Sequence, residues 1–199
     1  MKSAFLGDAL DHWKGALFDS LRSAGILRSF AIDPMFSDSE NWTAQDVELY
    51  ARLTRVQPTQ LIRHRAGLET RDAYFSEIQH SGDLFLDPDT GIATGRVAAP
   101  RGYVMPGEIG RLLDSAPARL LAVYQHVRAQ PVRVRVTSVL ALLQRNVGPL
   151  SSVSYESGTV AMLFLSRERR RAAEVDAHFT SFLGRHATGR IRKHDQHEV

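Results

Sequence analysis

Short apolar segments alternate with longer amphipathic segments along most of this chain, and this alternation restricts the fold more than any other feature. Three apolar segments, over 26–32, 84–86 and 120–124, have the length and the turn-forming flanks of buried strands. In the segments around them, apolar residues recur at intervals of three and four, which predicts helices. Strands that alternate with helices form a parallel sheet with helices on both faces. We therefore predict a three-layer α/β domain with a mainly parallel sheet.

The helices expected from this pattern cover most of the remaining chain. Their predicted ranges are 8–24, 43–56, 58–67, 70–80 and 132–147, with another helix beginning at Pro106. The segment over 90–105 is rich in glycine and proline, and a connection of this length in a compact domain is usually functional or mobile.

The C-terminal part departs from the alternation of strands and helices. Residues 151–155 and 159–165 are apolar segments joined by a tight turn, which predicts an antiparallel hairpin at one edge of the sheet. A last helix is predicted over 167–183. We expect a single domain over residues 1–193, followed by a disordered tail over residues 194–199.

Composition excludes several classes of protein. The chain has 199 residues, enough for a continuous core, and it has no cysteine, which excludes disulfides, zinc–thiolate sites and a cysteine nucleophile. No apolar run reaches the roughly 18 residues that a membrane span requires. The first residues turn acidic at Asp8, too early for a secretory signal. We therefore expect a cytoplasmic protein with no membrane partner.

Two aspartates directly follow the second predicted strand. Asp87 and Asp89 flank Pro88, at the point where ligands bind in open α/β sheets. Their carboxylates could bind a metal, a ribose or a substrate amine, and hard oxygen ligands suit Mg²⁺ or Mn²⁺. The alternative is a turn in which both side chains cap their own backbone. We predict that Asp87 and Asp89 are catalytic residues and metal ligands.

Polar residues also follow the other two predicted strands. Asp33 follows the first, and Gln125 and His126 follow the third. Because the carboxyl ends of parallel strands meet at one edge of a sheet, we expect Asp33, Asp87 and His126 to lie together there. His126 is predicted to be catalytic, although a single histidine is as often a structural residue.

The first predicted helix carries Asp8, Asp11 and Lys14. The simpler interpretation is a helix capped by Asp8, with an exposed pair between Asp11 and Lys14 worth a few tenths of a kcal/mol. Alternatively, Asp11 and Lys14 face Asp87 and Asp89, where carboxylates and an ammonium would suit phosphate chemistry. We assign Asp11 and Lys14 to catalysis, and Asp8 and Asp33 to cofactor binding.

Basic residues concentrate near the C-terminus of a chain with a formal net charge of +3 and a pI of about 9.5. Nearly all of them are arginines, whose guanidinium group pairs bidentately with phosphate. We predict a nucleic-acid-binding surface formed by Arg167, Arg169, Arg170 and Arg171. The alternative is a solvated helix face that binds nothing.

Two motifs give the chain a resemblance to a known family. The first is Gly7-Asp8 with Asp11 and Lys14, and the second is Phe85-Leu-Asp-Pro-Asp-Thr-Gly91. With this strand order, the chain resembles the Rossmann-like methyltransferase superfamily, and looks closest to small uncharacterised bacterial proteins that pair these two motifs. More distantly, it is similar to the three-Cys-motif partner proteins. The resemblance implies a Rossmann-like fold and an enzyme that acts on nucleic acid.

The resemblance also implies a role for Asp87. In many nucleic-acid methyltransferases an Asp/Asn-Pro-Pro motif follows the fourth strand and holds the target amine. Asp87-Pro88 occupies the comparable place, with Asp89 instead of the second proline. The predicted C-terminal hairpin resembles the antiparallel edge of that superfamily.

The cofactor loop of the superfamily is not matched. The superfamily binds S-adenosylmethionine on a glycine-rich turn after its first strand, but residues 33–39 contain no glycine and include Pro34. We expect S-adenosylmethionine to bind weakly or not at all, and divalent metal to be the ligand. The leading function is a methyltransferase-like enzyme acting on nucleic acid. The alternatives are a Mg²⁺-dependent nuclease or phosphoesterase, and a non-catalytic nucleic-acid-binding or regulatory module.

Overall fold

The structure, a computed structural model, describes residues 1–36, 41–62, 71–76, 78–95, 102–128 and 130–194. Its helices are Ala9–Ser23 (α1), Ala44–Leu53 (α2), Arg71–Ser76 (α3), Pro106–Ser115 (α4), Val132–Val147 (α5) and Arg169–Leu183 (α6). Its strands are Ala31–Asp33 (β1), Leu84–Leu86 (β2), Gly91–Ile92 (β3), Tyr103–Val104 (β4), Leu121–His126 (β5), Ser151–Ser157 (β6), Val160–Ser166 (β7) and Ile191–His194 (β8).

Six of these strands form one mixed sheet in the order β1-β2-β5-β7-β6-β8. The β1–β2 and β2–β5 pairs are parallel, whereas β7 pairs antiparallel with both β5 and β6, and β8 pairs antiparallel with β6. It follows that β1, β2, β5 and β6 run in one direction, and β7 and β8 in the other. The small strands β3 and β4 form a separate parallel pair.

Helices cover both faces of this sheet, as the sequence predicted for an α/β fold. On one face α1, α2 and α6 pack on alternate strand residues such as Phe85 and Phe164. On the other, α4 and α5 pack on the intervening residues, such as Leu84 and Leu163. Because side chains alternate between the two faces of a strand, the fully buried β2 and β7 contribute to both layers.

Local sequence signals set the helix ends that position the site. The Asp8 side chain accepts hydrogen bonds from the backbone amides of Leu10 and Asp11 and caps α1. Thr43 and Asp46 form a capping box at the start of α2. Both helices were predicted at these N-caps, and α5 has the predicted bounds 132–147.

Several predicted elements differ from the structure. The mainly parallel sheet is not confirmed, because three of its five strand pairings are antiparallel. The hairpin does not end the sheet: β7 lies between β5 and β6, and β8 forms the edge. His194, assigned to a disordered tail, is the last residue of β8, while residues 195–199 lie outside the described residues.

The predicted helix over 58–67 is a 3-10 helix over Pro58–Gln60 in its described part, and residues 63–70 lie outside that part. The connection over 90–105 contains β3 and β4, with 96–101 outside the described residues. Within the described chain, no helix combines the length and the apolar character needed to cross a bilayer.

Candidate active site

Three predicted site residues lie at the same edge of the sheet, where β1, β2 and β5 end. The Asp87 backbone amide donates to the Asp33 carbonyl oxygen at 3.0 Å, and the His126 amide donates to the Thr90 carbonyl oxygen at 3.1 Å. Parallel pairing in register brings these ends together. The predicted placement of Asp33, Asp87 and His126 on one edge is therefore confirmed. We call this edge the carboxyl edge.

A buried cluster of polar side chains surrounds Lys14. Its Nζ donates to Asp87 Oδ2 at 2.7 Å and to Asp11 Oδ1 at 3.0 Å, and the Tyr50 hydroxyl donates to Asp87 Oδ2 at 2.7 Å. All four residues are at most 4% exposed. We call Asp11, Lys14, Tyr50 and Asp87 the Lys14 cluster. It joins α1, α2 and the end of β2. Of the two interpretations of Asp11 and Lys14, the structure agrees with the one in which they face Asp87, and the exposed pair is wrong.

Close packing of α1 on α2 brings these side chains together. A Cβ atom on Gly15 would lie 2.0 Å from the Leu53 carbonyl oxygen, so only glycine permits this approach. The backbone amide of Gly7 donates to Asp11 Oδ2 at 2.9 Å and orients that carboxylate toward Lys14. The Gly7-Asp8…Asp11…Lys14 motif is thus a helix start that delivers an ion pair to the carboxyl edge.

Electrostatics determine which groups in the cluster carry protons. Burial opposes the charge on Lys14, but the carboxylates of Asp87 and Asp11 outweigh it and raise the pKa of Lys14. Burial, followed by the charge of Asp87, raises the pKa of Tyr50 well above its usual value. Burial also raises the pKa of Asp11. Lys14 and Tyr50 therefore act as proton-bearing donors near neutral pH, and Asp87 acts as their acceptor.

Tyr124 and His126 extend the cluster along β5. The Lys14 Nζ lies over the Tyr124 ring, 4.7 Å from its centroid, and the Tyr124 hydroxyl lies 3.3 Å from His126 Nδ1. Burial, together with the charge of Arg128, lowers the pKa of His126. His126 is therefore neutral at pH 7 and half-buried beside the site.

Asp89 lies next to a second ammonium group. The amino group of Met1 is 3.3 Å from Asp89 Oδ1, and it also donates to the backbone carbonyl oxygens of Pro34, Met35 and Asp87. Burial lowers the pKa of this amino group. Asp87 and Asp89, predicted as metal ligands, are thus each held by an ammonium group in this structure.

Gln125 shapes the loop that carries Asp87 and Asp89. Its side-chain amide accepts from the Ile92 backbone amide at 2.9 Å and donates to the carbonyl oxygens of Thr90 and His126. Gly91 lies against this amide with a φ of 114°, where a Cβ atom would be 2.5 Å from the Gln125 side chain. The glycine is required by both conformation and space.

Replacing Gly91 by alanine is expected to lower the free energy of unfolding by about 3 kcal/mol, from backbone strain and overpacking together. Urea denaturation measures the loss. Gly107→Ala is the matched control, because Gly107 is exposed near the start of α4 and a Cβ atom there meets nothing within 4 Å. Equal effects of the two substitutions would contradict this account of the loop.

The two residues predicted to bind a cofactor have local partners. Asp8 caps α1, and Asp33 accepts hydrogen bonds from the Tyr74 hydroxyl at 2.8 and 3.0 Å and from the Met35 backbone amide at 2.9 Å. Within the described ranges, no group of three or more histidine or acidic side chains has an arrangement that could hold a metal ion.

The predicted surface of C-terminal arginines needs correction. Arg171 is 1% exposed, and its guanidinium pairs with Asp83 Oδ2 at 2.6 Å, so it cannot contact a phosphate. Arg167 is held by Asp114 Oδ1 and by the carbonyl oxygens of Val147 and Pro149. Arg169 and Arg170 are exposed, and Arg170 pairs with Glu174. These arginines follow β7, which runs antiparallel to β5, so they lie at the opposite end of the sheet from Asp87.

Sequence reasoning missed Tyr50 and Tyr124 as members of the site. Tyr50 lies in the predicted helix over 43–56 and Tyr124 in the predicted buried strand over 120–124, and neither prediction assigns a partner to the hydroxyl group. A tyrosine at a core position usually finds a hydrogen-bond partner, and that tendency was the available signal.

Comparison with known proteins adds no assignment to this geometry. No protein family matches the chain, and no curated protein has significant sequence similarity to it.

Proposed function

We propose that this chain is a methyltransferase-like enzyme acting on nucleic acid, in which Asp87 accepts a hydrogen bond from an amino group of the substrate. One observation carries the proposal. Lys14 and Tyr50 both bind Oδ2 of Asp87, whereas Oδ1 accepts no hydrogen bond within the described part of the chain. Oδ2 is fixed by two donors, and a substrate group would pair with Oδ1 after displacing the groups that cover Asp87, which is 1% exposed.

The chemistry of the cluster suits this role. An ionised carboxylate is an acceptor only, so it can pair with an amine but not with a carbonyl group. Lys14 and Tyr50 donate to the same oxygen of Asp87 and restrict rotation of its carboxylate. The resemblance to the methyltransferase superfamily also supports an amine-binding role for Asp87, because that superfamily uses an aspartate or asparagine before proline to hold its target amine.

The sheet supports a Rossmann-like architecture for this function. Four of its six strands run in one direction with helices on both faces. In such sheets the ligand binds outside the carboxyl ends of the strands, and the Lys14 cluster lies there.

The residues after β1 do not fit S-adenosylmethionine in the way that the superfamily holds it. Pro34 has no amide hydrogen, the Met35 amide already donates to Asp33, and the Met1 amino group lies on the carbonyl oxygens of both residues. We therefore expect this cofactor to bind weakly or not at all. The same observation favours a second candidate, a non-catalytic module that binds nucleic acid through the same fold.

Mass spectrometry of treated oligonucleotides tests the proposal. Single- and double-stranded oligonucleotides are incubated with the protein and either S-adenosylmethionine, Mg²⁺ or Mn²⁺, and the products are compared with untreated samples. A methylated base supports the proposal. A metal-dependent cleavage product would replace it with the nuclease or phosphoesterase alternative. Unchanged oligonucleotides that nevertheless bind the protein would favour the non-catalytic module.

A further inference from the structure

Three exposed arginines lie along the carboxyl edge and take no part in the Lys14 cluster. They are Arg128, Arg133 and Arg190, and we call them the edge arginines. Arg128 follows β5 by two residues, Arg133 lies in the first turn of α5, and Arg190 directly precedes β8.

Strand register puts all three at this edge. Because β5 and β6 run in the same direction, Ser157 at the end of β6 lies at the same edge as His126. The first residue of β8, Ile191, pairs with Tyr155, and the Glu156 amide donates to the Arg190 carbonyl oxygen at 2.7 Å. Arg190 therefore lies near the end of β6.

Arg133 lies at the same edge because α5 begins there. β5 ends at His126, and Arg133 is the second residue of the helix that follows it. The edge arginines thus follow the carboxyl edge from β5 to β8.

The acidic residues near the edge arginines do not pair with them, so their positive charge is left unbalanced. None of the edge arginines forms an ion pair with another described residue. The first turn of α5 contains no acidic residue. Glu156, whose backbone amide donates to the Arg190 carbonyl oxygen, pairs with Arg192 through its side chain. Asp8, whose charge acts on His126, caps α1 and forms no ion pair with Arg128.

The spacing of the edge arginines matches a phosphate chain. In the sheet order, β5 and β8 are three positions apart, which is about 14 Å at the usual distance between strands. That span is several times the axial rise of about 3.4 Å between successive phosphates of one strand, so the edge arginines can contact more than one phosphate of the same strand. Arginine is suited to such contacts because its guanidinium pairs bidentately with phosphate.

We propose that Arg128, Arg133 and Arg190 bind the sugar–phosphate backbone of a nucleic acid whose base enters the site at Asp87. The proposal rests on the proposed function and moves the nucleic-acid interface from the C-terminal arginines to the carboxyl edge. The partner is expected to be bound through charge, without base-specific contacts from these three residues.

Fluorescence anisotropy with a labelled single-stranded oligonucleotide, over a range of NaCl concentrations, tests the surface. The variant carries Arg128→Gln, Arg133→Gln and Arg190→Gln. The matched control carries Arg145→Gln, Arg169→Gln and Arg170→Gln, three exposed arginines on the last turn of α5 and the start of α6. Both triple variants lose three positive charges, so the net charge of +3 falls to 0 in each.

The edge variant is expected to bind at least about tenfold more weakly at low salt, and its log–log salt slope should fall by about 2, at roughly 0.7 per lost phosphate contact. The control should bind like the unmodified protein. Equal losses in both variants, or a larger loss in the control, would overturn the proposal. Binding to anionic phospholipid vesicles but not to the oligonucleotide would also overturn it.

Two further measurements keep the result interpretable. Circular dichroism checks that both triple variants are folded, and the single variant Arg190→Glu should weaken binding even if the triple variant misfolds. Oligonucleotide binding can be measured without turnover. Binding that depends on the edge arginines but yields no product would support the proposed surface and refute the enzymatic proposal.

Discussion

Replacing Arg171 by methionine is expected to lower the free energy of unfolding by about 3–5 kcal/mol, the usual cost of leaving a buried charge without its partner. The Arg171 guanidinium donates to Asp83 Oδ2 at 2.6 Å, to the Ile26 carbonyl oxygen at 2.9 Å and to the Ala118 carbonyl oxygen at 3.2 Å. Methionine fills part of the space but leaves the Asp83 carboxylate, which is 2% exposed, without its counter-charge.

Urea denaturation of Arg171→Met and Arg170→Met measures this effect. Arg170 is the adjacent residue on α6, its side chain is 80% exposed, and its pair with Glu174 is a surface pair worth well under about 1 kcal/mol. A small and equal effect of both substitutions would show that the Asp83–Arg171 pair does not hold α6 to the start of β2.

Replacing Lys14 by methionine is expected to cost a similar amount, about 3–5 kcal/mol at pH 7. The substitution leaves Asp11 and Asp87 buried together without the ammonium group that pairs with both carboxylates. Burial and mutual repulsion would then raise the pKa values of both carboxyl groups in the folded state. Acids whose folded pKa values are raised bind more protons when folded, so stability falls as the pH rises through their titration range.

The pH dependence separates lost charge from lost packing. The stability deficit of Lys14→Met should be largest near neutral pH and should shrink as the pH falls and both carboxyl groups become protonated. Unfolding curves at several pH values measure it, with Lys2→Met as an exposed-lysine control. A deficit independent of pH would contradict the ion-pair account of the cluster.

Much of the fold was predictable because helix signals are local. The cap at Asp8, the capping box at Thr43 and the apolar spacing of α5 each specify a helix without reference to distant residues. The strand predicted over 26–32 is correct only at its end, because the residues before it make other hydrogen bonds. Ile26 and Leu27 donate to the Leu21 carbonyl oxygen at the end of α1, and the Arg28 amide donates to Asp83, so only 31–33 pairs as a strand.

The strand order of the sheet was not predictable, because the pattern of apolar residues and turns does not specify which strands pair. A hairpin signal indicates that β6 and β7 are neighbours, but not that β7 inserts beside β5 or that β8 continues the sheet. The polar segment over 191–194 resembles a solvated tail because an edge strand needs few apolar residues.

Part of the candidate site was predictable because the ends of strands can be located from the sequence. Strand ends indicated Asp33, Asp87 and His126, since parallel strands end together. The pairing of Lys14 with Asp87, separated by 73 positions, was one of two open interpretations. Arg171 was misread because its neighbours are charged. Its spacing of four and eight residues from the buried Val175 and Phe179 was the signal that it faces inward.

The central proposal is that Asp87 binds a substrate and contributes little to the stability of the fold. Asp83, the acid at the other end of β2, provides the control. Asp83 precedes the strand and Asp87 follows it, and both are buried. Asp83→Asn should destabilise the protein by weakening its pair with Arg171, while the folded molecules keep their activity. Asp87→Asn retains Asp11 as the partner of Lys14, so its cost in stability should be about 1 kcal/mol.

The most direct measurement is product formation on an oligonucleotide by Asp87→Asn and Asp83→Asn, with the free energy of unfolding of each. Lys14 and Tyr50 both donate to Oδ2 of Asp87, so the oxygen of the Asp87→Asn amide should face these donors. Its NH2 group then takes the place of Oδ1, where the substrate amine needs an acceptor, and activity should fall about 10²- to 10³-fold with little change in stability. Full activity in Asp87→Asn, or a large loss of stability with unchanged activity per folded molecule, would contradict the account and make Asp87 a structural residue of the turn.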